Sequence, residues 1–245
     1  MNQNNEVLLY NYFRSSPSYR VRIALHYKGI PFKYIPVHLL EEGGQHRKSD
    51  YAQLNPQKEV PTLVHQGKVL SQSLPMMEYL EEVFPGPSYL PKDPYQKARI
   101  RQFCENINSF MHPLNNLKVL QYLEKKHNYS AEDKEVWIQN WSHQGFEALE
   151  KMLESTASQN GSSDSVNYCY GDDVTYCFGD TVTMADFCLI PQVFSAQRFN
   201  VDISKYPRIQ RINSSCLKLD YFQSAHPHNQ IDTPKELLVK KINEK

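Results

Sequence analysis

The apolar run at residues 7–12 predicts a short strand, and Val21, Ala24 and Leu25 then recur at helical spacing up to Gly29, a residue suited to the position just past a helix end. The segment PFKYIPVHLL alternates as a second strand would. VPTLVHQGKVL predicts two short strands around a Gln66-Gly67 turn, and SLPMMEYLEEV returns to helical spacing at Met76, Leu80 and Val83. The predicted order is β-α-β, a long connection, then β-β-α.

Residues 84–94, FPGPSYLPKDP, place four prolines and a glycine within eleven residues, a composition that stops helices and marks a linker. Beyond it the pattern is helical. Ile100, Phe103, Ile107 and Phe110 share one face, and Trp137, Trp141, Ala148, Leu149 and Met152 form another stripe, with the two tryptophans expected in core packing. Pro113 within a helical pattern predicts a kink. Past Tyr206 a shorter helical pattern runs to Leu217, followed by the turn-rich SAHPHNQIDTP and a tail expected to fray, although Thr233, Pro234 and Glu236 outline a helix start.

A polar run after residue 154 leads into YCYGDDVT, which is nearly repeated at once as YCFGDTVT. Only the second copy precedes a helical segment, MADFCLIPQV, with Thr183 and Asp186 at capping-box spacing. The first copy therefore reads as part of a surface loop insertion at about residues 158–176, since lengthening a loop costs little.

Lysine plus arginine and aspartate plus glutamate number 27 each, so composition favours neither nucleic acid nor a strongly charged protein partner, and small molecules become the default ligands. No stretch approaches the roughly 20 apolar residues of a membrane span, and the start MNQNNEVLLYNYF lacks a signal-peptide pattern, so a cytoplasmic protein is expected. The cysteines at 104, 169, 177, 188 and 216 are odd in number and never spaced C-x-x-C, which indicates neither a disulfide framework nor a metal site.

Chemistry concentrates at FRSSPSYRVRIAL. A helix N-terminus exposes unpaired N–H groups and a partial positive charge, and thiolates gain especially from such a site. Ser15 and Ser16 are candidate hydrogen-bond donors to an anion there, while Ser16 followed by Pro17 also reads as a helix cap with proline in the first helical position. In LNPQKEVPTL, Pro61 can hold a turn that leaves the Val60 N–H and C=O free to pair with an extended peptide-like ligand. Gln72 and Ser73 open the next helix, where a carboxylate would be welcome. Together these features describe a site for a small anionic peptide bearing a thiol.

The set YFRSSPSYRVRIALHYKG, LNPQKEVPTL, QSLPMMEYLEE, HPLNNLKVLQYL, GDTVTMADFCLIPQV and RFNVDISKYP, in that order over nearly the whole chain, resembles the zeta class of glutathione transferases, in particular bacterial maleylacetoacetate isomerases. The resemblance implies an α/β thioredoxin-like N-terminal domain over residues 1–84, a linker over 85–94, an all-α C-terminal domain over 95–234 and a tail over 235–245. It also implies glutathione as cofactor, a small acidic substrate and a homodimer. The implied reaction is glutathione-dependent isomerisation of maleylacetoacetate to fumarylacetoacetate in tyrosine and phenylalanine breakdown. Alternatives are maleylpyruvate isomerisation, general glutathione transfer, or a non-catalytic binding protein.

By the same resemblance Ser15 supports the glutathione thiolate with Ser16 beside it, Val60 and a cis Pro61 form the backbone clamp, and Gln72 and Ser73 hold the γ-glutamyl end. His46, His112 and Asn116 fall at further glutathione positions, and Arg14, Lys118 and Arg198 at positions for the acidic substrate. Pro17 departs from the family's Ser-Ser-Cys pattern and removes a backbone N–H, leaving the Ser18 and Tyr19 amides as the expected donors. Tyr19 stands where the family usually has tryptophan.

Overall fold

Val7, Leu9 and Asn11 are buried along β1 (Val7–Asn11) while Leu8 and Tyr10 are less covered, the period-two pattern of a strand with unequal faces. The computed structural model describes residues 6–154 and 174–238. Among these, 6–88 with 218–238 form one compact unit and 89–154 with 174–217 a second.

In the first unit β1 is followed by α1 (Ser16–Tyr27), β2 (Phe32–Pro36), α2 (Ser49–Leu54), β3 (Thr62–His65), β4 (Lys68–Ser71) and α3 (Ser73–Val83). The sheet order is β2-β1-β3-β4, with β1 and β2 parallel and the other two pairs antiparallel. A parallel pair needs a crossover, and α1 supplies it with a face of Tyr19, Val21, Ile23, Ala24 and Leu25 that solvent does not reach. The β3–β4 hairpin closes through Gln66 and Gly67, both at positive φ, the backbone that matches strand twist in a two-residue turn.

The register decides where the connections meet. Asn11 pairs with Pro36, Tyr10 with Thr62, and Thr62 with Ser71, so the ends of β1, β2 and β4 and the start of β3 lie at one end of the sheet. The last described segment, with α10 (Asp220–Ala225), packs on α1 in this same unit, where the Tyr19 hydroxyl bonds the Phe222 carbonyl at 3.4 Å. The expected tail retains a 3-10 turn at Lys235–Leu237, and its residues 239–245 lie outside the described residues.

The second unit consists of helices α4 (Pro94–Glu105), α5 (His112–Leu114), α6 (Leu117–His127), α7 (Ala131–Glu154), α8 (Met184–Gln197) and α9 (Pro207–Cys216). Between α4 and α5 the chain runs as a π-helix over Asn106–Met111, so the kink expected from Pro113 is met by widened turns ahead of it. The buried face of α7 carries Ile138, Ser142, Gly145, Phe146, Leu149 and Leu153. The expected stripe is corrected at Ala148, which is exposed, and the tryptophans flank the core: Trp137 Nε1 bonds the Leu114 carbonyl at 2.8 Å and Trp141 meets Phe110 edge-on.

Asp186 caps α8 as the spacing predicts, accepting from the Thr183 amide and hydroxyl, and it also accepts from the Cys177 amide at 2.9 Å. Cys104, Cys177, Cys188 and Cys216 are buried, and none of these four is in a disulfide. Residues 168–173 of the first repeat copy, and with them most of the expected insertion, lie outside the described residues, while Thr175 at its end donates through its amide and hydroxyl to Asp180 Oδ1.

Candidate functional site

Four loops converge at one end of the sheet, and they carry Arg14 to Pro17, His46, Val60 to Pro61, and Gln72 to Ser73. A hydrophobic cluster of Tyr12, Phe13, Val37, Tyr51 and Val60 binds three of these loops beneath the surface. Residues scattered over 60 positions of sequence thus share one rim for a topological reason, since parallel crossover and hairpin both return the chain there.

At the first loop the cap is Ser15, not Ser16. Ser15 has extended backbone angles, and its Oγ accepts from the Ser18 amide at 3.3 Å. Ser16 is the first helical residue and is buried, with Pro17 next to it in a turn where a missing N–H is tolerated. The expectation that the Ser18 and Tyr19 amides remain available is corrected as well. Ser18 is engaged by Ser15 Oγ, and the Tyr19 amide bonds the Ser15 carbonyl at 2.9 Å. A hydroxyl that accepts one bond keeps its own proton to donate, so Ser15 is left as the side-chain donor at this turn. Arg14, half-buried, lies with its guanidinium 5.1 Å from the centre of the Phe13 ring.

The Val60–Pro61 bond is cis. The turn before it is braced by Tyr51, whose hydroxyl bonds the Glu59 carbonyl at 2.7 Å, and by Asn55 Nδ2 to the same oxygen at 2.8 Å. Both side chains also reach Thr62 Oγ1. Burial pushes the Tyr51 phenol up to about 12, so it stays neutral. The Val60 amide and carbonyl themselves bond no other described residue, which leaves them open to an extended ligand.

Gln72 caps α3 at φ 71°, a conformation rare for a residue with a side chain, and its Nε2 bonds Gln57 Oε1 at 2.6 Å. Ser73 begins α3 and is buried, with its Oγ accepting from the wholly buried Arg20 Nη1 at 3.2 Å. His46 is buried in a 3-10 turn, and its Nδ1 finds no partner among the described residues. Burial, then the Arg47 charge, lowers its pKa, so the ring is neutral near pH 7. A Cβ at Gly44 would stand 2.5 Å from His46 Cε1, so glycine is what admits the ring.

The sequence model described as "Glutathione S-transferase, N-terminal domain" matches residues 9–88. A maleylacetoacetate isomerase of Mus musculus is 45% identical over 96% of this chain and 99% of its own length. The solved holo structure of a maleyl pyruvate isomerase, described as a bacterial glutathione transferase of the zeta class, aligns with a TM-score of 0.83 and 39% identity, covering 93% of this chain and all of that one. The chain belongs to the zeta-class glutathione transferases. A second relative of known structure, the maleylacetoacetate isomerase of Methylobacterium extorquens AM1 with bound malonate and glutathione, aligns at TM-score 0.82 and 32% identity over 93% of this chain and 99% of that one.

The helical unit carries the remaining candidate residues predicted from the sequence. Asn116 caps α6, accepting from the Lys118 amide at 3.0 Å, which places Lys118 in the first turn with an exposed side chain. His112 is half-covered at the start of α5, and Arg198 is exposed at the end of α8 with its guanidinium 5.2 Å from the Phe199 ring centre. Sequence reasoning missed Arg20, Tyr51 and Asn55. No local pattern distinguishes a buried arginine from a solvated one, whereas Asn55 in the LNPQKEVP stretch stood within the quoted motif. Among the described residues no group of three histidine, cysteine or acidic side chains is placed to hold a metal ion, and no helix is long and apolar enough to cross a membrane.

Proposed function

We propose that the chain binds glutathione along the rim formed by Ser15, Val60 and Gln72 to Ser73, and isomerises a small cis-configured unsaturated dicarboxylic acid, maleylacetoacetate. The observation that carries this reading is the open Val60 backbone beside a cis proline, at the same sheet end as a Ser15 hydroxyl that accepts from the Ser18 amide and keeps its proton to donate, and as the N-terminus of α3. The residues fit the peptide. Val60 offers one donor and one acceptor to an extended backbone, and Ser73 with the α3 terminus suits the γ-glutamyl carboxylate. His46 Nδ1, buried and unpartnered, gains from a polar ligand atom.

When bound, glutathione supplies a nucleophilic thiol that is regenerated by the end of the isomerisation. Ser15 donates its hydroxyl proton toward the sulfur and favours the thiolate, aided by the positive end of α1. Pro17 contributes no amide, so the hydroxyl carries this task without help from that position. On the family resemblance, Arg14, Lys118 and Arg198 are proposed as cations for the carboxylates of an acidic substrate or for negative charge developing on its carbonyl. Ser16 is buried as the first residue of α1, and its proposed part is in holding the turn beside Ser15. His112 and Asn116 are proposed as further polar contacts, and a homodimer in the cytoplasm is the assembly and setting that family resemblance supports.

The test is ultraviolet-monitored turnover of maleylacetoacetate with glutathione in limiting amount. Many turnovers per glutathione, with total glutathione constant, are expected, and net glutathione loss would instead support a transferase. Ser15→Ala is expected to lower kcat/KM roughly a hundredfold, the scale for losing one transition-state donor. Maleylpyruvate is the second substrate to assay, because the solved relative with TM-score 0.83 is a maleyl pyruvate isomerase. Faster turnover of maleylpyruvate would replace the first reading, and no turnover of either would leave a glutathione-binding protein.

A further inference from the structure

The turn that carries Ser15 is fastened at Phe13 by groups from elsewhere in the first unit. The Phe13 amide donates to Asp232 Oδ2 at 3.0 Å, and the Phe13 carbonyl accepts from Arg22 Nη2 at 2.9 Å. Both polar backbone groups of one residue, two positions ahead of Ser15, are thereby fixed. Arg22 is wholly buried, and its remaining donors reach Asn11 Oδ1 at 2.9 Å, the Tyr12 carbonyl at 3.4 Å and the Ala225 carbonyl at 3.0 Å. The Tyr12 carbonyl also accepts from the Ser15 amide at 3.0 Å, which closes the turn. Burial lowers Arg22 to about 10, so it remains a cation at neutral pH.

Asp232 meets β2 with its other oxygen, where Oδ1 accepts from the Tyr34 hydroxyl. Burial raises the Tyr34 pKa, so this hydroxyl keeps its proton and stays a donor. The turn that presents Asp232 is braced on itself. Gln230 Nε2 donates to the Ser224 carbonyl at 2.9 Å and the His226 carbonyl at 2.8 Å, and Thr233 Oγ1 donates to the Pro227 carbonyl at 2.6 Å. Gln230 and Thr233 are both buried, so the carboxylate's place is set by an ordered segment.

We propose that Asp232 is a positioning residue for the isomerase: by holding the Phe13 amide it fixes the direction of the Ser15 hydroxyl and so the stability of the glutathione thiolate. This rests on the reading that Ser15 is the thiol's donor. A charged acceptor on a backbone amide makes one of the stronger hydrogen bonds, and small displacements of a donor cost much in rate.

The experiment titrates the ultraviolet thiolate absorbance of protein-bound glutathione against pH. Asp232→Asn preserves shape but replaces one acceptor by an N–H₂, and it is expected to raise the bound thiol's pKa and cut kcat about tenfold, with KM for glutathione moved less than about threefold. Added to Ser15→Ala it should shift the thiol no further, because it acts through that hydroxyl. Tyr34→Phe should move the thiol in the same direction by less, and it serves in place of the asparagine variant should that fail to fold. An unchanged titration in Asp232→Asn, or in Tyr34→Phe where that replaces it, while Ser15→Ala shifts it, overturns the proposal. So does a lowered melting temperature with an unmoved thiol. If Ser15→Ala leaves the titration unmoved, the assignment of Ser15 itself falls and takes the proposal with it.

Discussion

Arg20 Nη1 and Ser73 Oγ lie 53 residues apart in sequence and 3.2 Å apart in space, joining the interior of α1 to the first residue of α3. The guanidinium holds Ser73 from within, so the serine's own proton remains to be donated outward. Arg20→Met is therefore expected to raise KM for glutathione several-fold while changing kcat less, since it disturbs the binding of the cofactor and not the sulfur. Glutathione titration followed calorimetrically, beside steady-state kinetics, distinguishes the two effects.

Gln72 takes φ 71° and ψ 121°, where a β-branched residue is strained. Gln72→Val is expected to destabilise the protein by about 1–3 kcal/mol, whereas Gln72→Gly should cost less because glycine tolerates positive φ. Urea unfolding of the two variants compares them directly, and equal losses would mean that the side chain matters more than the backbone.

Gly145 on α7 faces Met111, and an added Cβ would stand 2.3 Å from Met111 Cγ and 2.4 Å from its sulfur. Overpacking should outweigh the helix propensity of alanine, so Gly145→Ala is expected to lose about 1–2 kcal/mol. Met111→Ala in the same protein opens the space, and the double variant should be more stable than the two single losses added together. Strict additivity in chemical denaturation would contradict the close approach.

Asp186 is buried with four donors on its carboxylate, the Cys177 and Thr183 amides, the Thr183 hydroxyl and the Cys216 thiol. Asp186→Ala strands the Cys177 and Thr183 amides inside the second unit and is expected to cost about 3 kcal/mol or more, and Asp186→Asn less because one acceptor survives. Thermal unfolding measures both, and near-equal losses would show that the carboxylate charge, not the acceptor count, is what the cap requires.

His226 is pushed down to about 4 by burial first, then by His228 and Arg22. Its folded value lies below the unfolded value near 6.5, so its contribution to stability is present above that pH and is lost as pH falls toward about 4. His26, His46, His65 and His143 are lowered too, so the comparison must be between wild type and His226→Asn, which can keep an acceptor for the His228 amide. The melting temperature of the variant should fall less steeply between pH 6.5 and 4, and parallel curves would remove His226 from the account.

The β-α-β and β-β-α runs, the Gln66-Gly67 turn and the Thr183 and Asp186 cap were legible along the chain, because each depends on neighbours within one turn or one pleat, whereas α2, a helix of six residues, was read only as part of a long connection. Ser15 illustrates the limit. Its importance could be read from FRSSPSY, but whether it or Ser16 caps the helix depends on backbone angles that the motif leaves open, and the engagement of the Ser18 and Tyr19 amides depends on that choice. Asp232 and Arg22 were beyond local reading altogether. An aspartate in a turn-rich segment and an arginine in a helix gain their roles from partners up to 219 residues away, through burial that excludes water and makes each hydrogen bond obligatory. Short-range pattern determined which elements form, and tertiary packing alone decided which charges lie inside and which backbone groups they hold.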